Sequence, residues 1–371
     1  MRRFAGGRLP GTRSGGKAMR GALSIAAVVL SLALAACQQA AQSAPAPSAA
    51  AGDAAAPAAP AAPAPPPRKH VDLGYVAPSE TFAIPWIAKE AGLFDKYGLD
   101  VDLHLVPGTP RLTQSLIAGD FDYANVGAPA VIRARALNGD TLILASAGNY
   151  FTFRIMANQQ SGIHSLAELR GHSVGVSQIG STSHTFLKIL LDRAGVPLDQ
   201  VNVIQTGGNP EAAAAMVSGG IDASAVSGIM IPTAEQAGAV TLADGRQLKI
   251  PSVNGALAAT RGHIERDRDE VRRFMRAYVE GIHYYKTQRD ETIAIMQQYM
   301  NGLPWDQTAY LYEEGLDGYE PLPYPSDEAI QTEMERDVDP PVTNMKPSDF
   351  VDVSFLQEME QDGFIKQLYG Q

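Results

Sequence analysis

The sequence predicts an α/β fold of two lobes, in which two doubly wound sheets are joined by two hinge strands and followed by a helical C-terminal part. A strand–helix–strand series begins at Val71, and a second such series begins after Ser165. Beyond Gly262 apolar residues recur at helical spacing alone. Strands that alternate with helices favour parallel pairing and right-handed connections, so the duplicated series predicts one sheet in each lobe.

The first series opens with the alternating run from Val71 to Val76, which is typical of a strand. A helix is predicted from about Pro85 to Tyr97, because apolar residues recur on one face and Gly98 follows. A strand then alternates apolar and charged residues over 99–105. The next elements are helix, strand, helix and strand, near residues 110–118, 121–126, 129–137 and 141–145.

The second series has the same composition of short apolar strands and amphipathic helices. Its predicted strands lie near residues 172–177, 201–205 and 221–226, and its helices near 181–194 and 209–218. Two apolar, extended runs bracket the series, at 150–157 and 252–260. We predict that these runs are the two hinge strands that cross between the lobes.

The C-terminal part carries an apolar stripe at helical spacing, formed by Val271, Phe274, Met275, Tyr278, Val279 and Ile282. Further helices are predicted at 293–300, 304–315 and 327–334, and all of them are expected to pack against the first lobe. The predicted limits are residues 70–155 and 255–371 for lobe 1 and residues 156–254 for lobe 2.

The N-terminal segment predicts export and lipid attachment. Basic residues precede an apolar run from Ala22 to Ala36, and Leu34-Ala35-Ala36 leads directly into Cys37, the single cysteine of the chain. This pattern is typical of a lipoprotein signal peptide over residues 1–36, with lipidation at Cys37. The run is too short for a membrane span, which needs about 20 apolar residues. Met1 and Met19 both remain possible starts.

Composition narrows the function further. Residues 37–69 are an Ala/Pro-rich linker that extends the folded part away from a membrane. Without the six basic residues that precede Cys37, 24 basic residues remain against 40 acidic ones, a net charge of −16. That charge disfavours nucleic acid and anionic lipid surfaces. A single cysteine also excludes intrachain disulfides and sites with several cysteine ligands.

The candidate chemistry lies in loops that follow the predicted strands, where open parallel sheets bind ligands. These loops are rich in glycine and hydroxyl residues, and they lead into helix N-termini that favour oxygen-rich polar or anionic groups. The same residue types also serve as ordinary helix caps. The loops are Ser79-Glu80-Thr81-Phe82, Gly127-Ala128-Pro129, Gly180-Ser181-Thr182-Ser183 and Ser227-Gly228.

Other candidate groups point to no catalytic or metal site. The seven histidines are scattered without metal-ligand spacing, and only His184, which follows the Ser181 turn, lies near a candidate loop. Arg133 and Arg135 are two apart on a helix and are expected to face solvent. Asn209 has the sequence context of a cap without a claim on function. We therefore predict no cofactor and no metal.

Several stretches together carry a family resemblance, at residues 74–75, 87–94, 98–101, 117–122, 166–171, 174–176 and 219–223. They resemble the periplasmic substrate-binding proteins of ABC importers, of the nitrate/sulfonate/taurine and thiamine-pyrimidine-precursor type. The likeness covers roughly residues 71–301. It implies a type II periplasmic-binding-protein-like fold that closes on a small polar or anionic molecule.

The resemblance also implies partners and site residues. The partners are a membrane permease and its cytoplasmic ATPase, and the receptor would be a lipid-anchored monomer in the periplasm or on the outer face of the cell membrane. Ligand contacts carry over to Ser79, Thr81, Phe82, Gly127, Ala128, Asn149, Ser181, Thr182 and Ser227. These loops lack the basic residue expected of sulfonate and nitrate carriers. Two alternatives remain open: a tethered hydrolase or lyase that uses the same cleft, and a ligand sensor for a membrane receptor.

Overall fold

A computed structural model describes residues 68–337, 342 and 344–370. The predicted signal peptide, Cys37 and nearly all of the Ala/Pro-rich linker lie outside the described residues. Among those residues, no helix is both long enough and apolar enough to cross a membrane.

Ten strands occur in the described residues. In chain order they are β1 (Lys69–Tyr75), β2 (Leu99–Leu105), β3 (Tyr123–Val126), β4 (Thr141–Tyr150), β5 (Arg154–Ala157), β6 (Ser173–Val176), β7 (Asn202–Gln205), β8 (Ala223–Val226), β9 (Val240–Asp244) and β10 (Pro251–Thr260).

Fourteen α-helices surround these strands, counted over the same described part of the chain. They are α1 (Ile84–Glu90), α2 (Leu93–Lys96), α3 (Thr109–Ala118), α4 (Ala128–Ala136), α5 (Thr182–Arg193), α6 (Asn209–Val217), α7 (Met230–Gln236), α8 (Arg261–Arg266), α9 (Arg268–Thr287), α10 (Arg289–Tyr299), α11 (Trp305–Leu316), α12 (Asp327–Asp337), α13 (Ser354–Gln361) and α14 (Phe364–Tyr369).

The strands form two five-stranded sheets, which confirms the two-lobed α/β fold. The first sheet has the order β2-β1-β3-β10-β4 and the second has the order β7-β6-β8-β5-β9. In each sheet three neighbouring strands pair parallel, as predicted, and one strand, β10 or β5, pairs antiparallel with the strand on either side of it. The sheets are therefore mixed. We call each sheet with its helices a lobe, so α5, α6 and α7 belong to lobe 2, while the exact lobe limits stay a prediction.

The chain crosses between the sheets twice. It leaves the first sheet at Tyr150 and enters the second at Arg154, then leaves the second at Asp244 and returns at Pro251. The first crossing falls inside the predicted hinge run 150–157. The second crossing, residues 245–250, precedes the predicted run 252–260, because that run is already β10 within the first sheet.

Most predicted elements are present, and one helix is divided while five short elements are additional. The helix predicted from Pro85 to Tyr97 is two helices, because Gly92 adopts the left-handed conformation at φ +70° and ends the first of them. Strand β9 and helices α7, α8, α13 and α14 were not predicted. All are short, and Pro232 inside α7 weakens its helical pattern.

The helical C-terminal part packs against lobe 1, as predicted. Phe274 of α9 stacks on Tyr123 of β3 with ring centroids 4.0 Å apart, and Phe94 also stacks on Phe274 at 5.1 Å. The whole predicted stripe of α9 is buried in this core. Burial of these rings fixes α9 on the first sheet and thereby positions the helices that follow it.

Candidate ligand-binding cleft

The carboxyl ends of the parallel strands in both sheets meet at one cleft. At its centre lies a cavity of about 30 Å³, which has room for only one or two water molecules. No charged side chain lines this cavity among the described residues. Its polar lining consists of Ser79, Thr81, Thr109, Thr152, Ser177, Thr182, Ser183, Asn209, Ser227 and Asn254.

The structure brings five of the nine predicted contact residues to this cavity: Ser79, Thr81, Phe82, Thr182 and Ser227. The other four lie nearby but not on its wall. Ala128 is buried at the start of α4, and Asn149 uses its side chain to bond the Tyr324 carbonyl oxygen and the Ser326 N–H. Whether any of the nine contacts a ligand stays a prediction.

Ser181 belongs to a closed hydroxyl network rather than to the cavity wall. The Ser177 hydroxyl donates to Ser181 Oγ at 2.9 Å, and Ser183 Oγ lies 3.0 Å from Ser177 Oγ and accepts from the Ser177 backbone N–H. These three side chains satisfy one another and hold the turn before α5. Ser181 is therefore a scaffold for its neighbours.

Thr182 is the exception on this turn. Its side-chain oxygen is buried and has no hydrogen-bond partner, and the residue is 5% exposed. It opens α5 and lines the cavity. A buried hydroxyl without a partner costs about 1–3 kcal/mol, so Thr182 offers a hydrogen bond to whatever enters the cavity.

Gly127 and Thr182 meet across the two lobes. A Cβ atom placed on Gly127 would lie 1.6 Å from Thr182 Oγ1, so only glycine allows this approach. The backbone of Gly127 is extended (φ −73°, ψ 140°) and would suit alanine. The close contact with Thr182, and not the backbone conformation, therefore requires glycine at this position. The described conformation is therefore one in which the lobes are closed on each other.

Behind the cavity wall, Glu80 forms a buried charged pair that sequence reasoning missed. The carboxylate is 2% exposed, accepts from the Ser79 hydroxyl at 2.7 Å and pairs with Arg246 at 2.9 Å. Arg246 lies on the second crossing, between β9 and β10, far from Glu80 in the chain. Tyr319 donates to the Glu80 carbonyl oxygen at 2.6 Å and secures the same turn.

Two more arginines connect the lobes. Arg133 is half-buried and donates to the Gly180 carbonyl oxygen at 3.3 Å, so the expectation that it faces solvent was wrong. The helix α4 places it at the closed cleft, which its sequence spacing could not reveal. Arg154 of β5 donates to Tyr310 of α11 at 2.8 Å and lies 3.7 Å from Glu314.

Five polar cavity residues were missed by sequence reasoning: Thr109, Thr152, Ser177, Asn209 and Asn254. Asn209 lines the cavity and donates to Ser227 Oγ at 3.0 Å, which corrects its interpretation as a mere cap. It follows a parallel strand, β7, so the rule that selected the other loops applied to it as well. Thr152 lies on the first crossing and Asn254 lies in β10; they bond each other at 2.8 Å, and no local pattern distinguishes them.

A larger chamber adjoins the small cavity and shares Thr81, Thr152 and Asn254 with it. Its volume is about 600 Å³, within the usual range of small-molecule sites. Both crossings and the end of α11 form its walls. Six carboxylates and two basic side chains line it, namely Glu80, Glu313, Glu314, Asp317, Glu320, Glu328, Arg246 and Lys249.

His184 has a structural role in the turn before α5. Its Nδ1 accepts from the Gly180 backbone N–H at 3.1 Å, which requires that this nitrogen carries no proton. Burial lowers the pKa of His184 to about 4, and the positive charges of Lys188 and Arg133 act in the same direction. His184 therefore stays neutral at physiological pH.

Comparison with known proteins agrees with this architecture. Residues 80–292, more than half of the chain, match the family described as NMT1/THI5 like. The chain belongs to this family. It is 34% identical over 135 residues to a protein of Brucella abortus (strain 2308) named as a binding protein; the match covers 36% of this chain and 41% of that relative. The chain thus spans about two fifths of the curated relatives that it matches first.

Solved structures share the fold of this NMT1/THI5-like protein. A protein of Bordetella bronchiseptica RB50 superposes with a TM-score of 0.71 at 18% identity, covering 82% of this chain and 99% of that one. The periplasmic aliphatic sulphonate binding protein SsuA from Escherichia coli gives a TM-score of 0.59 at 23% identity, covering 77% and 91%. These likenesses confirm a two-lobed fold of the periplasmic binding protein type.

The neutral state of His184 makes stability depend on pH. Its pKa is about 4 in the folded chain and 6.5 ordinarily, so between these values the unfolded chain binds a proton that the folded chain does not. We expect the free energy of unfolding to fall as pH drops from about 6.5 to 4. His184→Asn should flatten this part of the profile in chemical denaturation, whereas exposed His164→Asn should not. Equal profiles for both variants would contradict the assignment.

The contact between Gly127 and Thr182 predicts a variant that cannot close. We expect Gly127→Ala to separate the lobes and increase the radius of gyration in small-angle X-ray scattering, because the added methyl group overlaps the Thr182 side chain. Thr182→Gly in the same chain should restore compactness in part. Gly262→Ala, where the added Cβ meets only Asp140 Oδ2 at 3.4 Å, is the control. An unchanged radius for Gly127→Ala would contradict closure through this contact.

Proposed function

We propose that this chain is the solute receptor of an ABC import system, which captures a small polar molecule between its lobes and delivers it to a membrane permease driven by a cytoplasmic ATPase. The cleft carries the proposal: loops from both lobes converge on one cavity, and the buried Thr182 hydroxyl lines it without a partner. Membership of the NMT1/THI5-like family and the shared fold of a periplasmic sulphonate-binding protein support it.

Transport of this kind requires a closed state that both lobes define. Arg133, Arg154 and Arg246 each bond a group of the opposite lobe or of the helices packed on it. Contacts of this kind form only on closure, so a ligand that adds contacts to both lobes shifts the population toward the closed form. A permease can then distinguish the loaded receptor from the empty one by shape.

We place the receptor on a lipid anchor at Cys37, in the periplasm or on the outer face of the cell membrane. The lipobox Leu34-Ala35-Ala36-Cys37 and the Ala/Pro-rich linker support this part of the proposal. The tether would keep the folded lobes near the permease while leaving them free to reorient.

Binding accounts for the cleft better than catalysis does. Ser79 and Glu80 are the nearest approach to a nucleophile with a base, but Glu80 is neutralised by Arg246 and lies behind the cavity wall. The imidazole of His184 is already engaged by the Gly180 N–H. A hydrolase or lyase would need a general base beside its nucleophile in the cavity.

The ligand site is tested by removing one hydroxyl. Thermal shifts of the full chain with ethanesulfonate, nitrate, taurine, cytosine, benzoate and benzylamine first identify a binder, since a ligand at 100 times its Kd adds about 2.7 kcal/mol to stability. Thr182→Val should then weaken that binder about threefold to tenfold in calorimetry, the value of one hydrogen bond. Exposed Thr233→Val on α7 is the matched control. Unchanged affinity in Thr182→Val would place the ligand elsewhere.

Lipid attachment is tested separately. Cys37→Ser should abolish incorporation of labelled palmitate and release the chain from the membrane fraction, because the thioether-forming sulfur is gone. Thermal stability and ligand affinity should remain those of the parent chain, as the substitution lies outside the lobes. Continued palmitate labelling of the Cys37→Ser variant would refute the anchor.

A further inference from the structure

We infer that the ligand of this cleft carries N–H hydrogen-bond donors and no net negative charge, in contrast to a sulfonate or nitrate ion. This inference rests on the proposed function of the cleft and narrows its ligand class. Three independent features of the described residues lead to it: the uncharged cavity wall, the direction of its hydrogen bonds, and the charge of the adjoining chamber.

The cavity wall offers acceptors that an anion cannot use. The Ser79 hydroxyl donates to Glu80 Oε2, so Thr81 Oγ1, 3.0 Å away, donates to Ser79 Oγ; both hydroxyl hydrogens are then used, and these two lining residues have only acceptor capacity left. Asn254 donates its amide N–H to Thr152, which leaves Oδ1 as the acceptor end of the side chain. An ion that has only acceptors would meet these oxygens lone pair to lone pair and leave them unsatisfied.

The same wall also offers donors. Helix α5, which begins at Thr182, brings backbone N–H groups and an unpartnered buried hydroxyl to the cavity. The Asn209 amide donates one N–H to Ser227 Oγ, which leaves its second N–H and the Ser227 hydroxyl hydrogen as donors, while Asn209 Oδ1 is a buried acceptor without a partner. A ligand that satisfies the wall therefore needs both an acceptor and a donor. An amide and an aminopyrimidine provide both, and an amidine provides the donors.

The chamber of about 600 Å³ adds an electrostatic filter. Glu80 and Glu314 pair with Arg246, and Glu313 pairs with Arg289. Among the described lining residues this leaves Asp317, Glu320 and Glu328 against Lys249 outside any ion pair. Uncompensated carboxylates around a concave wall concentrate negative potential, which raises the local concentration of cations and opposes anions. The remainder of the ligand therefore lies in a field that favours a neutral or positively charged group.

The charge preference is tested with probes that share a shape. Benzenesulfonamide is compared with benzenesulfonate, and benzamide and benzamidine with benzoate, each at 5 mM with the full chain in low salt. We expect the amides and the amidine to raise the melting temperature by at least 2 °C and the two anions by less than 0.5 °C. The relative shifts of benzamide and benzamidine show whether a neutral or a cationic group is preferred.

Each result decides the inference. A shift by benzenesulfonate or benzoate that equals its uncharged partner's overturns the charge preference and leaves the receptor function standing. No shift with any of the five probes also overturns the inference, and the function then depends on the wider panel used for Thr182→Val. If no solute in either set binds, the receptor function itself fails.

A variant pair tests the chamber as the origin of the preference. Asp317→Asn with Glu320→Gln removes two exposed carboxylates, so the fold should be retained. We expect the ratio of benzenesulfonate Kd to benzenesulfonamide Kd to fall at least threefold. Asp199→Asn with Glu265→Gln removes the same charge from two exposed positions outside the chamber and should leave the ratio unchanged. Equal ratios in both double variants would exclude the chamber as the filter.

Discussion

The closed arrangement of the lobes depends on how the buried carboxylate of Glu80 is compensated. A carboxylate that is 2% exposed costs several kcal/mol unless charge and hydrogen bonds surround it. Arg246 supplies the charge and Ser79 supplies a hydroxyl, while Tyr319 holds the backbone of the same residue. Because Arg246 lies on the second crossing and Tyr319 follows α11, the side-chain and backbone contacts of this one residue hold three distant parts of the chain together. The loop that carries Ser79 and Thr81 is consequently rigid when the lobes are closed.

The second crossing links this compensation to movement between the lobes. Arg246 lies between β9 and β10, so a rotation of one sheet against the other moves its guanidinium relative to Glu80. Arg154 and Arg246 both approach Glu314 of α11, at 3.7 and 3.4 Å. Opening would break these pairs and expose Glu80 to water, where the carboxylate is solvated again. The loss on opening is therefore partly repaid by hydration, and the two states can lie close enough in free energy for a ligand to select between them.

The sequence predicted the elements whose pattern is local and missed those that depend on closure. Alternation placed β2 at its observed bounds, and the stripe from Val271 to Ile282 placed α9. Side-chain alternation and helical periodicity are set by neighbours along the chain, so a single sequence contains them. Arg133 and Arg246 carry no such signal, since their partners, Gly180 and Glu80, are 47 and 166 positions away. Asn209 could have been predicted as a cavity residue, because it follows a parallel strand, but its sequence context was interpreted as that of a helix cap.

Some polar side chains of the cleft are hydrogen-bonded to one another and others have no partner. This difference distinguishes the residues that hold the fold from those that are available to a ligand. Ser177, Ser181 and Ser183 bond one another, so a ligand would have to break existing hydrogen bonds to accept from their hydroxyls. The Thr182 hydroxyl is buried on the same turn without a partner. A native fold retains such a cost only where something offsets it. The three serines hold the start of α5 in place within lobe 2, so Thr182 is already positioned before the lobes close and binding does not have to order it.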